Sequence, residues 1–402
     1  GNPIERVRDI IGAMRGHREA QIAATVDEES LRGTLNEIAD TALTEPVNPT
    51  WELKDSNLIV HSGKPGVKFD TETVEQALTD QIRLMDFEPY EVSTDVTAAP
   101  AIDVDKIAAD IIGDPVNATV SKKDGKTIIA GKAGVSFDTD KAREIIGDGS
   151  QETYTIPVTI TQPSITAETL KAKLFHDTLA RTATHLDEGN APRTNNIRLA
   201  AKAINGTILN PGDEFSYNGT VGERTAARGY QEAHAYSGGK IIDEFGGGVC
   251  QPSSTLYMAV LRADLKVTER HNHSFTVSYT PLGEDATVDY GNLDFRFVNN
   301  TAYPVKILAE QTDGQMIMTI VGTKTSDKTV TTRTEVLETY KPETVTKTDS
   351  SMEAGDSRVE TSGITGYSTK TYKQITENGK TTEVLANSST YSQRDEVVYV
   401  GE

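Results

Sequence analysis

The chain has 402 residues and a formal charge of −20, so at roughly 100–200 residues per domain it should hold two to four. So acidic a chain is a poor partner for nucleic acid or an anionic membrane surface, both of which are gripped through basic patches. A single cysteine excludes an internal disulfide framework, no CxxC or HExxH pattern points to a metal or other cofactor, and the apolar runs are too short to span a bilayer.

Gly1-Asn-Pro-Ile is not a signal peptide. A chain starting without Met reads as trimmed, with any export signal or membrane anchor removed. Residues 1–44 carry an amphipathic helical segment from Ile4 to about Leu43. Internal repetition follows. Glu45-Pro-Val-Asn-Pro-Thr50 returns as Asp114-Pro-Val-Asn-Ala-Thr119, and Gly63-Lys-Pro-Gly-Val-Lys-Phe-Asp-Thr71 returns as Gly131-Lys-Ala-Gly-Val-Ser-Phe-Asp-Thr139. Helical stretches (Val74–Leu84 and Lys141–Ile146) and alternating strands (Tyr90–Val96 and Tyr154–Ile160) follow in each copy. Residues 45–100 and 101–173 are therefore expected to be two small α+β repeats of strand, hairpin, Asp-Thr cap, helix and strand.

From 174 to 322 the texture is mixed α+β. Asn196–Asn205 reads as a helix and Gly206–Tyr217 as strands and turns. Three glycines then lead into Val-Cys250-Gln-Pro-Ser-Ser-Thr-Leu-Tyr257, with Leu256, Tyr257, Val260 and Leu261 at helical spacing. Pro252 suits a first helical turn, which puts Cys250 at a helix N-terminus, where free N–H groups and the dipole favour a thiolate. Arg270-His-Asn-His273-Ser-Phe-Thr-Val-Ser-Tyr279 alternates and is expected to be a strand carrying His271 and His273 on one inward face with Phe275. Asn292–Phe297 and Tyr303–Gln311 supply further strands. Beyond about residue 323 the chain is rich in Thr, Ser and Glu, with glycines at 355, 363, 366, 379 and 401. Residues 323–402 are expected to form a separate, elongated all-β unit.

A helix-start cysteine followed by a strand histidine is the order used by papain-like and transglutaminase-like enzymes, so Cys250 is the candidate nucleophile. The bland alternative is a small buried hydrophobe. His273 is the preferred base and His271 the runner-up, against a satisfied core histidine. His234 reads as surface. Asp285, Asp289 and Asp294 follow on the next strand or turn and could orient the imidazole; Asp289 reads as solvated, whereas Asp285 and Asp294 stay unresolved. The amides of Cys250 and Gln251 are candidate oxyanion donors, with Gly248 at the turn. Arg224 and Tyr230 could bind a substrate carboxylate or line the cleft, with a structural role as the competing reading. The glycine triplet lacks a following Gly-Lys-Ser/Thr, which disfavours nucleotide binding. Tyr340, Tyr367, Tyr372 and Tyr391 could stack on sugars or simply pack.

Pro211-Gly-Asp-Glu-Phe-Ser-Tyr, Val221–Tyr230, the glycine–cysteine run and His273–Asp285 together resemble the VanW-domain family. The N-terminal half is similar to the peptidoglycan-binding repeats that often precede that domain, and the tail, closing on Asp395-Glu-Val-Val-Tyr-Val-Gly401, to a G5 domain. The resemblance implies a Gram-positive cell-wall protein, extracellular and usually membrane-anchored, whose partners are peptidoglycan stem peptides and glycan. It further implies L,D-transpeptidase chemistry, in which Cys250 attacks a stem peptide and an amine resolves the acyl-enzyme, or water does so as in a carboxypeptidase. The chain lacks the Ser-His-Gly-Cys signature of the better-known L,D-transpeptidase fold, and its cysteine precedes its histidine, so shared chemistry would be convergent. The rival is a non-catalytic envelope scaffold with a structural cysteine.

Overall fold

Aspartates begin four helices of the N-terminal part. Asp27, Asp70, Asp103 and Asp138 cap helices Glu28–Ala42, Thr71–Arg83, Val104–Ile111 and Thr139–Ile146, each side chain accepting from backbone N–H groups that have no partner within the helix. The computed structural model describes residues 3–16, 24–237 and 240–401, which divide into two units. The first comprises residues 1–115 and 133–162, the second 116–132 and 163–402.

In the first unit the amphipathic N-terminal segment forms two helices, Pro3–Met14 and Glu28–Ala42, and residues 17–23 lie outside the described residues. Arg32 pairs with Glu75 through two bonds of 2.8 and 3.0 Å, joining the second of these helices to Thr71–Arg83. A three-stranded sheet has Asn57–His61 at its centre, between Thr50–Lys54 and Thr153–Pro157. The two segments read as separate α+β repeats therefore share one sheet. The reason is apolar: Leu58 and Val60 lie directly opposite Ile156 and Tyr154, and all four are buried with Ile107, Ala142 and Ile146. Of the strand expected over 90–96 only Asp95–Thr97 forms, paired with Gly66–Lys68. Pro157, which has no N–H to donate, ends the strand Thr153–Pro157, and Thr159–Thr161 pairs separately with Gly134–Ser136.

The second unit is built on a four-stranded antiparallel sheet in the order Asp177–His185, Gln315–Gly322, Val305–Thr312, Ile208–Leu209. Helices Ala191–Ile204 and Cys250–Arg262 bury Ile197, Ala200, Ile204, Leu256 and Val260 against Ile307, Met316, Met318 and Ile320. A smaller sheet of Glu214–Ser216, Arg296–Val298 and Lys266–Glu269 adds Phe215, Phe295 and Phe297 to that core. Hairpin Glu232–Ser237/Lys240–Phe245 leads into the glycine turn.

The tail forms two three-stranded sheets. One is an antiparallel run of Thr329–Tyr340, Gly366–Glu377 and Lys380–Tyr391, and the other places Glu396–Gly401 between Thr344–Asp349 (parallel) and Ser357–Thr361. The first sheet is not a separate body. Arg262, Arg270, Leu282 and Gly283 of the preceding domain bond to Thr332, Ser389, Thr334 and Asn387.

Asn299 locks the core from beneath: its buried Nδ2 donates to Leu209 O and Tyr303 O at 2.9 and 2.8 Å. Asn299→Ala removes a donor from both carbonyls, leaving Tyr303 O only the Thr301 hydroxyl, and should cost about 1–3 kcal/mol, read as a lower urea midpoint for the second unit's transition.

Candidate active site

The glycine turn sets the thiol. A Cβ on Gly247 would sit 2.2 Å from Ala233 O, so only glycine lets the turn pass the hairpin. Tyr217 Oη donates to Val249 O at 2.8 Å, and the helix begins at Cys250 itself. The half-buried sulfur receives the Val288 N–H at 3.5 Å and lies 3.5 Å from Thr287 Oγ1. Burial works against the thiolate, but the hydrogen bond and charge of His273, with help from Val288 and Thr287, outweigh it, and the thiol is held below its ordinary range.

His273 is buried and oriented by one carboxylate. Its backbone N–H and its Nδ1–H both donate to Asp285 Oδ2, each at 2.7 Å. With Nδ1 so engaged, Nε2 is the ring nitrogen left to face the cleft, where it meets Tyr279 Oη at 3.4 Å. Burial opposes the imidazolium, yet Asp285 and Cys250 together hold its pKa up at about 9. Asp285, 1% exposed, accepts on its other oxygen from Arg270 Nη2 at 2.8 Å and Tyr391 Oη at 2.5 Å. Burial would raise this carboxyl; the His273 hydrogen bonds and the Arg270 charge pull it down to about 2. Cys250 and His273 line a cleft of about 380 Å³ with Arg193, Phe275 and Tyr279. Among the described residues, no group of three or more His, Cys, Asp or Glu could hold a metal ion.

Comparison with known proteins identifies the parts of the chain. The VanW-like protein family model matches residues 192–321, the G5 domain model residues 329–402, and a model described as "Putative peptidoglycan binding domain" residues 1–91. Uncharacterized protein YoaR of Bacillus subtilis is 35% identical over 212 residues, which span 52% of this chain and 69% of that one. The chain belongs to the VanW family. Vancomycin B-type resistance protein VanW of Enterococcus faecalis is 29% identical over 134 residues, 32% of this chain and 49% of its own. Two solved G5 structures also match. The HP0197 G5 domain is 19% identical and covers 19% of this chain and 100% of its own, with a TM-score of 0.13. The IgA1 protease G5 domain is 15% identical and covers 19% and 95%, with a TM-score of 0.15. The architecture of this VanW-family chain is thus a peptidoglycan-associated one.

Within the VanW domain several expected site residues lie elsewhere. The run 270–279 is not a strand: only His271 makes a bridge, to Thr287, while Asn272 and His273 are held by side-chain bonds and Ser274 O by the Ser392 N–H. His271 consequently does not share an inward face with His273; its Nε2 pairs with Glu269 at 3.1 Å, and it is absent from the cysteine cleft's lining. Asp294 serves the fold, receiving Ser216 Oγ–H at 2.5 Å and the N–H groups of Asn218 and Phe295 at 2.8 Å. Asp289 takes part in a turn with Leu293 and Asn292 at the cleft edge. Arg224 is turned to Asn218 and stacks on Tyr217 and Tyr290, while Tyr230 is a buried core residue. Neither lines the cleft. The Gln251 amide is already bonded to Gly248 O at 3.0 Å, which leaves the Cys250 N–H as the open donor of that pair among the described residues. His234 is an exposed hairpin residue paired with Asp243 at 2.5 Å, at the rim of the same cleft.

Arg193, Arg270, Tyr279 and Tyr391 were not singled out for this site from sequence. Arg270 precedes the histidine pair and could have been found as the one cation beside a candidate dyad. Tyr391 sits 106 residues beyond Asp285 in the G5 strand, and nothing local marks it.

Folded His273 keeps its proton to about pH 9, against 6.5 in an unfolded chain. Its stabilisation is therefore complete below pH 6.5 and lost as pH rises through 9. The thermal-midpoint gap between wild type and His273→Gln should be wide near pH 6 and narrow towards about pH 10. Tyr391→Phe removes a donor to Asp285 and the acceptor of Gly283 N–H, a 2.8 Å bond. It should cost about 1–3 kcal/mol in urea unfolding, whereas Tyr340→Phe, in an exposed part of the G5 domain, should cost little.

Proposed function

We propose that the VanW domain is a cysteine acyltransferase that crosslinks peptidoglycan stem peptides, as an L,D-transpeptidase does. The observation that supports this reading is that buried Asp285 orients His273 through two 2.7 Å bonds in the same cleft that holds Cys250 at a helix start. The Cys250 thiolate attacks a stem-peptide carbonyl to form a C–S bond, and the negative oxygen is met by the Cys250 N–H. The C–N bond to the terminal D-amino acid then breaks, and the His273 imidazolium gives its proton to the departing amine. An amine from a neighbouring stem loses a proton to His273, attacks the thioester and releases the thiolate. Water in place of the amine gives carboxypeptidase activity. In this reading the protein works outside the cell at the wall, held there by its N-terminal modules and a membrane anchor.

The similar cap, helix and strand order of residues 45–100 and 101–173 supports a duplicated wall-binding module. In both, an aspartate-capped helix (Asp70, Asp138) follows a short strand (Gly66–Lys68, Gly134–Ser136).

A second reading is a peptidoglycan-binding envelope scaffold. It is favoured by the matched modules, one described as a binding domain and none by a reaction, and by the structural work that Asp285 does in joining the VanW and G5 domains.

Incubation with isolated muropeptides, followed by mass analysis, tests the two. Acyl transfer predicts new crosslinks that vanish in Cys250→Ser without loss of thermal stability and fall about 10²–10⁴-fold in His273→Ala. Crosslinking retained by folded Cys250→Ser ends the enzymatic reading, and wall binding with no crosslinks in wild type supports the scaffold.

A further inference from the structure

The cleft holds an arginine that the acyl-transfer steps above do not use. Arg193 lies in the first turn of helix Ala191–Ile204, its backbone N–H capped by Asn190. Its side chain crosses the glycine turn: a Cβ on Gly248 would fall 2.6 Å from Arg193 Cγ, so that position must lack a side chain for the arginine to pass. Its Nη2 donates to Gln251 Oε1 at 2.6 Å. Gln251, 1% exposed, spends its own Nε2 on Thr184 Oγ1 at 2.9 Å and His185 O at 2.6 Å. Both of its donors are consumed, so its oxygen must face the arginine. Gly248 and Gln251, on either side of Val249-Cys250, are thus committed to placing one guanidinium in the cleft.

That guanidinium has no carboxylate partner. Among the described residues it makes no ion pair, and Asp187 acts on it only across space. Burial, the larger effect, weakens its hold on its proton, against the raising charges of Tyr279, Asp187 and Cys250. A partly buried cation without a counter-ion is costly, and a planar guanidinium with free N–H groups matches a carboxylate through two parallel hydrogen bonds.

We propose that Arg193 forms a carboxylate subsite beside Cys250, so that the cleft selects peptides with a free carboxylate adjacent to the attacked carbonyl. The inference rests on the reading of Cys250 as a reactive thiol. It assigns the leaving group as a terminal amino acid with its carboxylate free, and it makes Gln251 a positioning residue for Arg193.

Iodoacetate and iodoacetamide test it, since they alkylate a thiolate by the same displacement and differ in carrying a carboxylate or an amide. The ratio of their rates at Cys250 cancels the thiol's own reactivity. Arg193→Gln should lower the iodoacetate-to-iodoacetamide ratio about tenfold, and Arg193→Lys should keep part of the preference. In the wild type, N-acetyl-L-lysyl-D-alanine should protect Cys250 from iodoacetamide better than its C-terminal amide does, a measurement that needs no variant to fold. Equal protection by acid and amide, or both alkylation rates falling together in Arg193→Gln with the ratio unchanged, overturns the subsite while leaving acyl transfer standing. A wild-type Cys250 that resists both reagents defeats the acyl-transfer reading and this one with it.

Discussion

A carboxylate at 1% exposure must collect donors or lose its charge, and the answer Asp285 finds governs the VanW domain. It gathers the His273 amide and imidazole, the Arg270 guanidinium and the Tyr391 phenol. These partners come from one loop and from a strand of the G5 domain. The conformation of 270–285, the docking of the tail's first sheet and the orientation of the imidazole are therefore one solution to one electrostatic problem. The lowered pKa of Cys250 depends on the same acid, because Asp285 is one of the two groups that keep the His273 imidazolium charged.

Polar residues also explain how the cysteine helix can be buried along nearly all its length. Ser254 Oγ exchanges hydrogen bonds with the carbonyl and amide of Ala286, and Thr255 Oγ1 meets Thr184 Oγ1 at 2.8 Å. Thr182 adds a bond to Thr255 O. The Gln-Pro-Ser-Ser-Thr run after Cys250 is thus a polar lock between helix, sheet and the segment that follows Asp285. Held this way, the helix start has little freedom to shift, and the thiol keeps its place relative to His273.

The features legible in sequence were those that local chemistry dictates. A glycine turn followed by Val-Cys-Gln-Pro specifies a helix start, and Asp-Thr pairs specify the caps at Asp70 and Asp138. The alternation of 270–279 misled because its apolar residues mark a loop wrapped around Asp285, with isolated backbone bonds and side-chain bonds in place of a ladder. Asp285 and Asp294 could not be separated, since both are buried acids 12 and 21 positions past His273 and only the fold decides which meets the imidazole. The tail was expected to stand apart because composition shifts near residue 323 towards Thr, Ser and Glu. Its attachment is polar, through Thr332, Thr334, Asn387, Ser389 and Tyr391, and composition alone does not reveal an interface made of hydroxyls.

The position of Tyr391 carries a consequence for biosynthesis. The chain is made and threaded from its N-terminus, and Asp285 emerges 106 residues before the phenol that completes its shell. Through that interval the thiol has already been made, while its activating network is unfinished. On the acyl-transfer reading, a nascent chain would pass the ribosome and any export channel with a quiet cysteine, its reactivity arriving only when the hairpin Gly366–Glu377/Lys380–Tyr391 closes over the loop. In that reading, synthesis order itself acts as a safety catch on the thiol.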